Sequence, residues 1–129
     1  MVTFRTLVRG FGHKVSGDEP QLLVVRGQAD WELLWARLNS NSSSFPAAPE
    51  VQWNSELVLA LILGMRSSTG YQVTIVRLAV NDGGLVVEAR EDKPTDFALQ
   101  MITEPVHVVA APAADLPDHL TAGASILIS

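Results

Sequence analysis

The chain has 129 residues, 47% of them apolar and 18% charged, a balance that supports a folded core and excludes global disorder. It contains no cysteine, which removes disulfide staples, a thiol nucleophile and any cysteine-ligated zinc or iron–sulfur centre. The formal net charge is −5, and an acidic body argues against nucleic acid as a partner, because phosphate contacts need clustered Lys and Arg.

The charge is uneven. Residues 1–26 carry Arg5, Arg9, Lys14 and Arg26 against Asp18 and Glu19, so this segment is weakly basic and the remainder strongly acidic. The same cations interrupt the front of the chain, and no apolar signal-peptide core forms there. The longest uncharged apolar run, residues 57–65, is far shorter than the roughly 20 residues of a spanning helix. The chain as it stands reads as a single domain over residues 1–129, soluble and cytoplasmic, or exported where a signal sequence precedes it.

Residues 3–8 alternate and predict a half-exposed first strand. The glycines between Gly10 and Gly17 predict a loop, and no βαβ unit surrounds them to make a dinucleotide site. Residues 21–26 (Gln-Leu-Leu-Val-Val-Arg) predict a short strand. A helix is predicted over residues 31–38 with Asp30 as N-cap, because Trp31, Leu34, Trp35 and Leu38 fall at i, i+3, i+4 and i+7. Two tryptophans on one stripe are either a ligand platform or core. Helical spacing is a burial signal, so the stripe reads as the face that covers a sheet.

Residues 39–44, rich in Ser and Asn, and then Pro46 and Pro49, form a loop that cannot continue the helix. Extended structure restarts at residues 51–53. Residues 57–63 are apolar at every position and predict a central strand buried on both faces, ended by Gly64. The run at 71–80 switches its apolar face midway, which predicts a bulge or strong twist. Asn81-Asp-Gly-Gly84 supplies a tight turn, and residues 85–90 alternate into a charged connection. Residues 56–90 thus read as a three-stranded antiparallel meander. Residues 97–103 and 106–110 read as a strand pair, or one strand broken at Pro105, where an edge or bulge is expected. Residues 124–128 read as a last strand, or as an arm for pairing with a second copy in a homodimer. The fold class is mainly β: an antiparallel β-sandwich or open barrel with one amphipathic helix packed on it.

Little catalytic chemistry assembles. His13, His107 and His119 lack metal-ligand spacing, and no Gly-x-Ser-x-Gly elbow exists. Glu88, Glu91 and Asp92 read as solvated surface acids, and no metal or cofactor is assigned. One loop stands apart: Arg66, Ser67, Ser68, Thr69, Gly70 and Tyr71 join two strands. The hydroxyl residues turn through their own side chains, Gly70 permits positive φ, and Tyr71 enters the next strand with a large ring. This is either an ordinary connection with an aromatic anchor or a displayed recognition loop, since binding residues concentrate on loops held by rigid sheets.

At these residues the chain resembles a known family. Leu63-Gly-Met-Arg-Ser-Ser-Thr-Gly-Tyr71 is similar to the Gly-x-Lys/Arg-x-Thr-Gly-Gly-Tyr signature of the C-terminal domain of PrcB-like protease-complex subunits. Ser68 stands where the family has Thr, and Thr69 replaces the first of its two glycines. Val24-Val-Arg-x-x-x-Asp-Trp31-x-x-Leu-Trp35 resembles its strand and Trp-containing helix. Val51-Gln-Trp-Asn-Ser-Glu56 resembles its aromatic before the central strand, and Leu99-Gln-Met-Ile-Thr-Glu-Pro105 its Thr-x-Pro strand. The correspondence runs over residues 20–112. It implies a mainly β, non-catalytic partner of another protein, a protease in particular; read as a contact loop, residues 66–71 would have Tyr71 anchoring and Arg66 steering. A weaker similarity joins Ser68-Thr-Gly-Tyr71 to the contact loop of chagasin-type cysteine-protease inhibitors. Asn81-Asp-Gly-Gly84 loosely resembles their second loop, and their Arg-Pro-aromatic wedge is missing. Inhibition of a protease, and a small ligand held in the helix–sheet crevice, are the alternative readings.

Overall fold

Strand β3 (Glu56–Ile62) is apolar along its length because it has no solvent side. Leu57, Leu59 and Leu61, with Leu63 beyond the strand, point into one hydrophobic layer, and Val58, Ala60 and Ile62 point into another. Each fully buried Leu contributes on the order of 1.5–3 kcal/mol relative to exposure. The computed structural model describes residues 2–12, 20–39, 47–66, 70–81, 84–93, 103–116 and 125–129.

Besides β3, the strands are β1 (Arg5–Gly12), β2 (Gln21–Val25), β4 (Gln72–Asn81), β5 (Gly84–Asp92), β6 (Glu104–Pro112) and β7 (Ser125–Ile128), with helix α1 (Gln28–Leu38) between β2 and β3. They form two sheets in the orders β1-β6-β3-β2 and β4-β5-β7. Three layers result: helix, first sheet, second sheet. This is the expected mainly β, sandwich-like architecture with one helix.

The expected meander over residues 56–90 does not form. β3 pairs with β2 and β6, whereas β4 and β5 form a hairpin in the other sheet, so the connection after β3 crosses between layers. Among the described residues all strand pairings are antiparallel except β5–β7, which is parallel, since β7 arrives after the chain has returned through the first sheet. The expected break in β4 is present. The register shifts between Ile75 and Arg77, so Val73, Ile75 and Leu78 all face inward and Val76 is turned out.

β1 extends past its predicted end. Gly10, Phe11 and Gly12 pair with Val106, Pro105 and Glu104, the ladder overriding the low strand preference of glycine. Pro105 lies in an interior strand, not at an edge. Its carbonyl accepts the Leu63 N–H at 2.9 Å, and its ring nitrogen has no hydrogen to return, so β3 ends where the second bond of that pair would fall.

The helix begins a turn earlier than predicted. Gly27, in extended conformation, is the N-cap, and Asp30 lies in the first turn, where its charge complements the helix dipole. Trp31, Leu34, Trp35 and Leu38 are buried against Val25, Val58, Ile62, Val106 and Val108, so the helix–sheet crevice is filled by core side chains. The Trp31 indole N–H donates to the Pro49 carbonyl at 2.9 Å, which fixes the approach to β3. Trp53, expected in extended structure, sits in a turn that Ser55 N–H closes onto the Gln52 carbonyl.

One ionisable ring lies between the sheets. His107 on β6 shares the parity of Val109 and Ala111 and is 3% exposed. Its Nδ1 accepts the backbone N–H of Ile75 at 2.8 Å, and its Nε2 lies 2.8 Å from Thr6 Oγ1.

Candidate functional site

The loop singled out in the sequence is the crossing between sheets. Leu63 is still buried in the inter-sheet layer. Gly64 then adopts φ 99°, a left-handed conformation open to glycine at little cost, and turns the chain out of the first sheet. Met65 is 43% exposed on the rim.

Arg66 fixes the base of the loop. Its N–H donates to the Thr103 carbonyl at 2.7 Å, and the Thr103 N–H returns a bond to the Arg66 carbonyl at 2.8 Å. The guanidinium meets Glu91 at the end of β5, with Nε at 2.9 Å from Oε2 and Nη2 at 3.3 Å from Oε1, and Nη1 donates to the Met65 carbonyl. One residue thereby joins the segment entering β6 to the second sheet. The Glu91 carboxylate raises the guanidinium pKa further above its already high value. The steering charge expected of Arg66 is therefore neutralised by a neighbour, and its structural place is the clamp under the loop.

Ser67, Ser68 and Thr69 lie outside the described residues. Gly70 and Tyr71 are half-buried where the chain enters the second sheet. The structure brings Arg66, Gly70 and Tyr71 to one crossing and adds Met65, Glu91 and Thr103, which sequence reasoning left out. Glu91 was legible: Leu85, Val87 and Ala89 face inward, and the same alternation carried two residues further places Glu91 on their side. Its side chain is 15% exposed, unlike the solvated acid expected there.

A second clamp stands at the other end of the first sheet. Arg5 binds Glu56 through both carboxylate oxygens, at 3.0 and 2.9 Å, and donates to the Glu50 carbonyl. The guanidinium and then the Gln52 N–H hold the Glu56 carboxyl below its ordinary range. Among the described residues, two clefts stand out at the surface. One, of about 270 Å³, is lined by Arg9, Gly10, Gln72, Val73 and Val106, and the other, of about 250 Å³, by Val76, Glu88, Ala89, Leu127, Ile128 and Ser129. Among the described residues no three of His, Asp and Glu gather as metal ligands, and no helix is long and apolar enough to cross a membrane. His13 and His119 lie outside those residues.

No curated protein and no solved structure matches the chain. The expected correspondence over residues 20–112 is recovered in its second part, leaving β2 and the Trp-bearing helix outside it. Residues 57–112, from β3 through β6 with the clamped loop between them, match the family described as PrcB C-terminal, and this stretch of the chain is PrcB-like.

Proposed function

We propose that the protein is a non-catalytic binding module, an accessory to a protease complex, whose contact surface is the tip of residues 66–71 with Met65 on its rim. The family match supplies the protease-complex context. The observation that carries the reading is the clamp: a short, hydroxyl-rich connection springs from Arg66, which is bonded both to Thr103 and to Glu91. With Arg66 clamped, Met65 beside it and Tyr71 at the entry to the second sheet are held in place, so their contacts with a partner cost little ordering. In this reading Tyr71 is the aromatic anchor and Met65 adds adaptable apolar area beside it.

The test is capture of protein from the native source by the tagged chain, with bound species identified by mass spectrometry. A protease subunit is recovered by the unaltered chain and lost with Tyr71→Ala or Met65→Ala, while the melting temperature of Met65→Ala holds. Retention of the same partner by both variants sinks the assignment of the loop. Stoichiometric loss of papain activity on mixing with the chain would transfer the loop to the inhibitor reading.

A further inference from the structure

The polar contact between the sheets admits one protonation state. A peptide N–H can only donate, so His107 Nδ1, which receives the Ile75 N–H, carries a lone pair. The ring is neutral with its hydrogen on Nε2, and that hydrogen is donated to Thr6 Oγ1. Three elements thus meet at one imidazole: β6, which carries it, β1 through Thr6, and β4 through Ile75.

The place of Ile75 gives this contact its consequence. β4 is an edge strand, and the Ile75 N–H turns to the side away from β5. Elsewhere along that edge the seam is held by the Val2 N–H on the Leu78 carbonyl at 2.9 Å and by Arg9 Nη2 on Gln72 Oε1 at 3.1 Å. The cleft lined by Arg9, Gly10, Gln72, Val73 and Val106 opens in the same seam. The edge of β4 is therefore shielded by a few spaced contacts, with His107 in the middle and open volume beside it.

We propose that His107 is an acid-operated latch between the sheets: neutral, it holds the edge of β4 against β1 and β6, and protonated, it releases that edge. A proton on Nδ1 would set two donors face to face at the present separation of 2.8 Å, so the Ile75 bond cannot survive it. The charged group acting on the ring is Arg9, its register partner on β1. β3 presents Leu61 opposite it and β4 presents the Ile75 amide, with no titratable side chain from either at the ring among the described residues. Burial first, and then the Arg9 charge, push the His107 pKa from 6.5 down to about 4. The edge is consequently latched at neutral pH and weakened steadily as acid is added.

Amide exchange of the uniformly labelled full chain, followed by NMR and corrected for intrinsic rates, tests this. Between about pH 7.5 and about pH 4 the protection of Ile75 falls about a hundredfold, the linkage set by the His107 shift, and Ile75 stays less protected than Leu59 in β3 throughout, because its edge opens without global unfolding. The His107 ring resonances and the Ile75 amide move together. His107→Asn keeps an acceptor near Nδ1 that does not titrate and removes the hundredfold pH-dependent loss at Ile75. Should that variant fail to fold, the comparison of Ile75 with Leu59 in the unaltered chain decides alone. Equal protection of the two amides at every pH, which would mean that Ile75 opens only with the whole fold, or an Ile75 that changes less than about tenfold while the ring titrates, overturns the latch.

Discussion

Arg66 and Glu91 are 25 residues apart in sequence and meet at 2.9 Å across the gap between the two sheets, with both side chains largely withdrawn from water. The pair is made by the residue from which the marked connection starts, and that same residue is bonded to Thr103. Replacing Glu91 by Gln leaves one hydrogen-bonding group but no charge for the guanidinium. The expected cost is about 1–2 kcal/mol, read from urea denaturation. A double-mutant cycle with Arg66→Met separates the pair from its surroundings. A coupling energy near zero would show that the clamp is ornamental.

Two glycines give opposite signs for the same substitution. Gly64 has φ 99°, and Gly64→Ala forces an L side chain into a left-handed backbone at a cost of about 1–2 kcal/mol. An added Cβ at Gly10 meets nothing within 4 Å, and Gly10→Ala in β1 stabilises by about 0.4–1 kcal/mol by narrowing the unfolded ensemble. Thermal melts of the two variants should move in opposite directions. Movement in the same direction would remove the backbone explanation for Gly64.

The stability–pH profile has two phases. His107 has a folded pKa below its unfolded value, so its contribution is complete above pH 6.5 and is lost as pH falls toward about 4. The slope there reaches about 1.4 kcal/mol per pH unit. Glu56 is also depressed, by Arg5 first, so its contribution is complete above the ordinary glutamate value of 4.5 and is lost as pH falls further. Urea midpoints measured across this range in Arg5→Met should keep the upper phase and flatten the lower one. An unchanged lower phase would assign it to other carboxylates.

What the sequence displayed was burial, and what it withheld was neighbourhood. The all-apolar run of β3 announced a strand with two covered faces, and the shift of face in β4 announced its bulge. Helical spacing of Trp31, Leu34, Trp35 and Leu38 located the helix, although Gly27, with no capping side chain, hid its start. Alternation says which face a residue takes and is silent on which strand lies beside it. That is why β3, β4 and β5 read as one meander although β3 belongs to another sheet. The clamp was half visible: Arg66 stood in the marked loop, but Glu91 comes from a strand whose proximity only the crossing creates. His107 stood out in the sequence only for lacking metal-ligand spacing, and it is hydrogen-bonded within the core.

The second sheet also dictates an order of assembly. Its one local pairing is the β4–β5 hairpin, while Val2 bridges to Leu78 on one side and β7 lies along β5 on the other. During synthesis that hairpin emerges with its far side bare until residues 125–128 have been made, and closing so long a loop is slow. Ribosome-bound chains halted before those residues should accordingly bind strand-capturing chaperones that completed chains ignore.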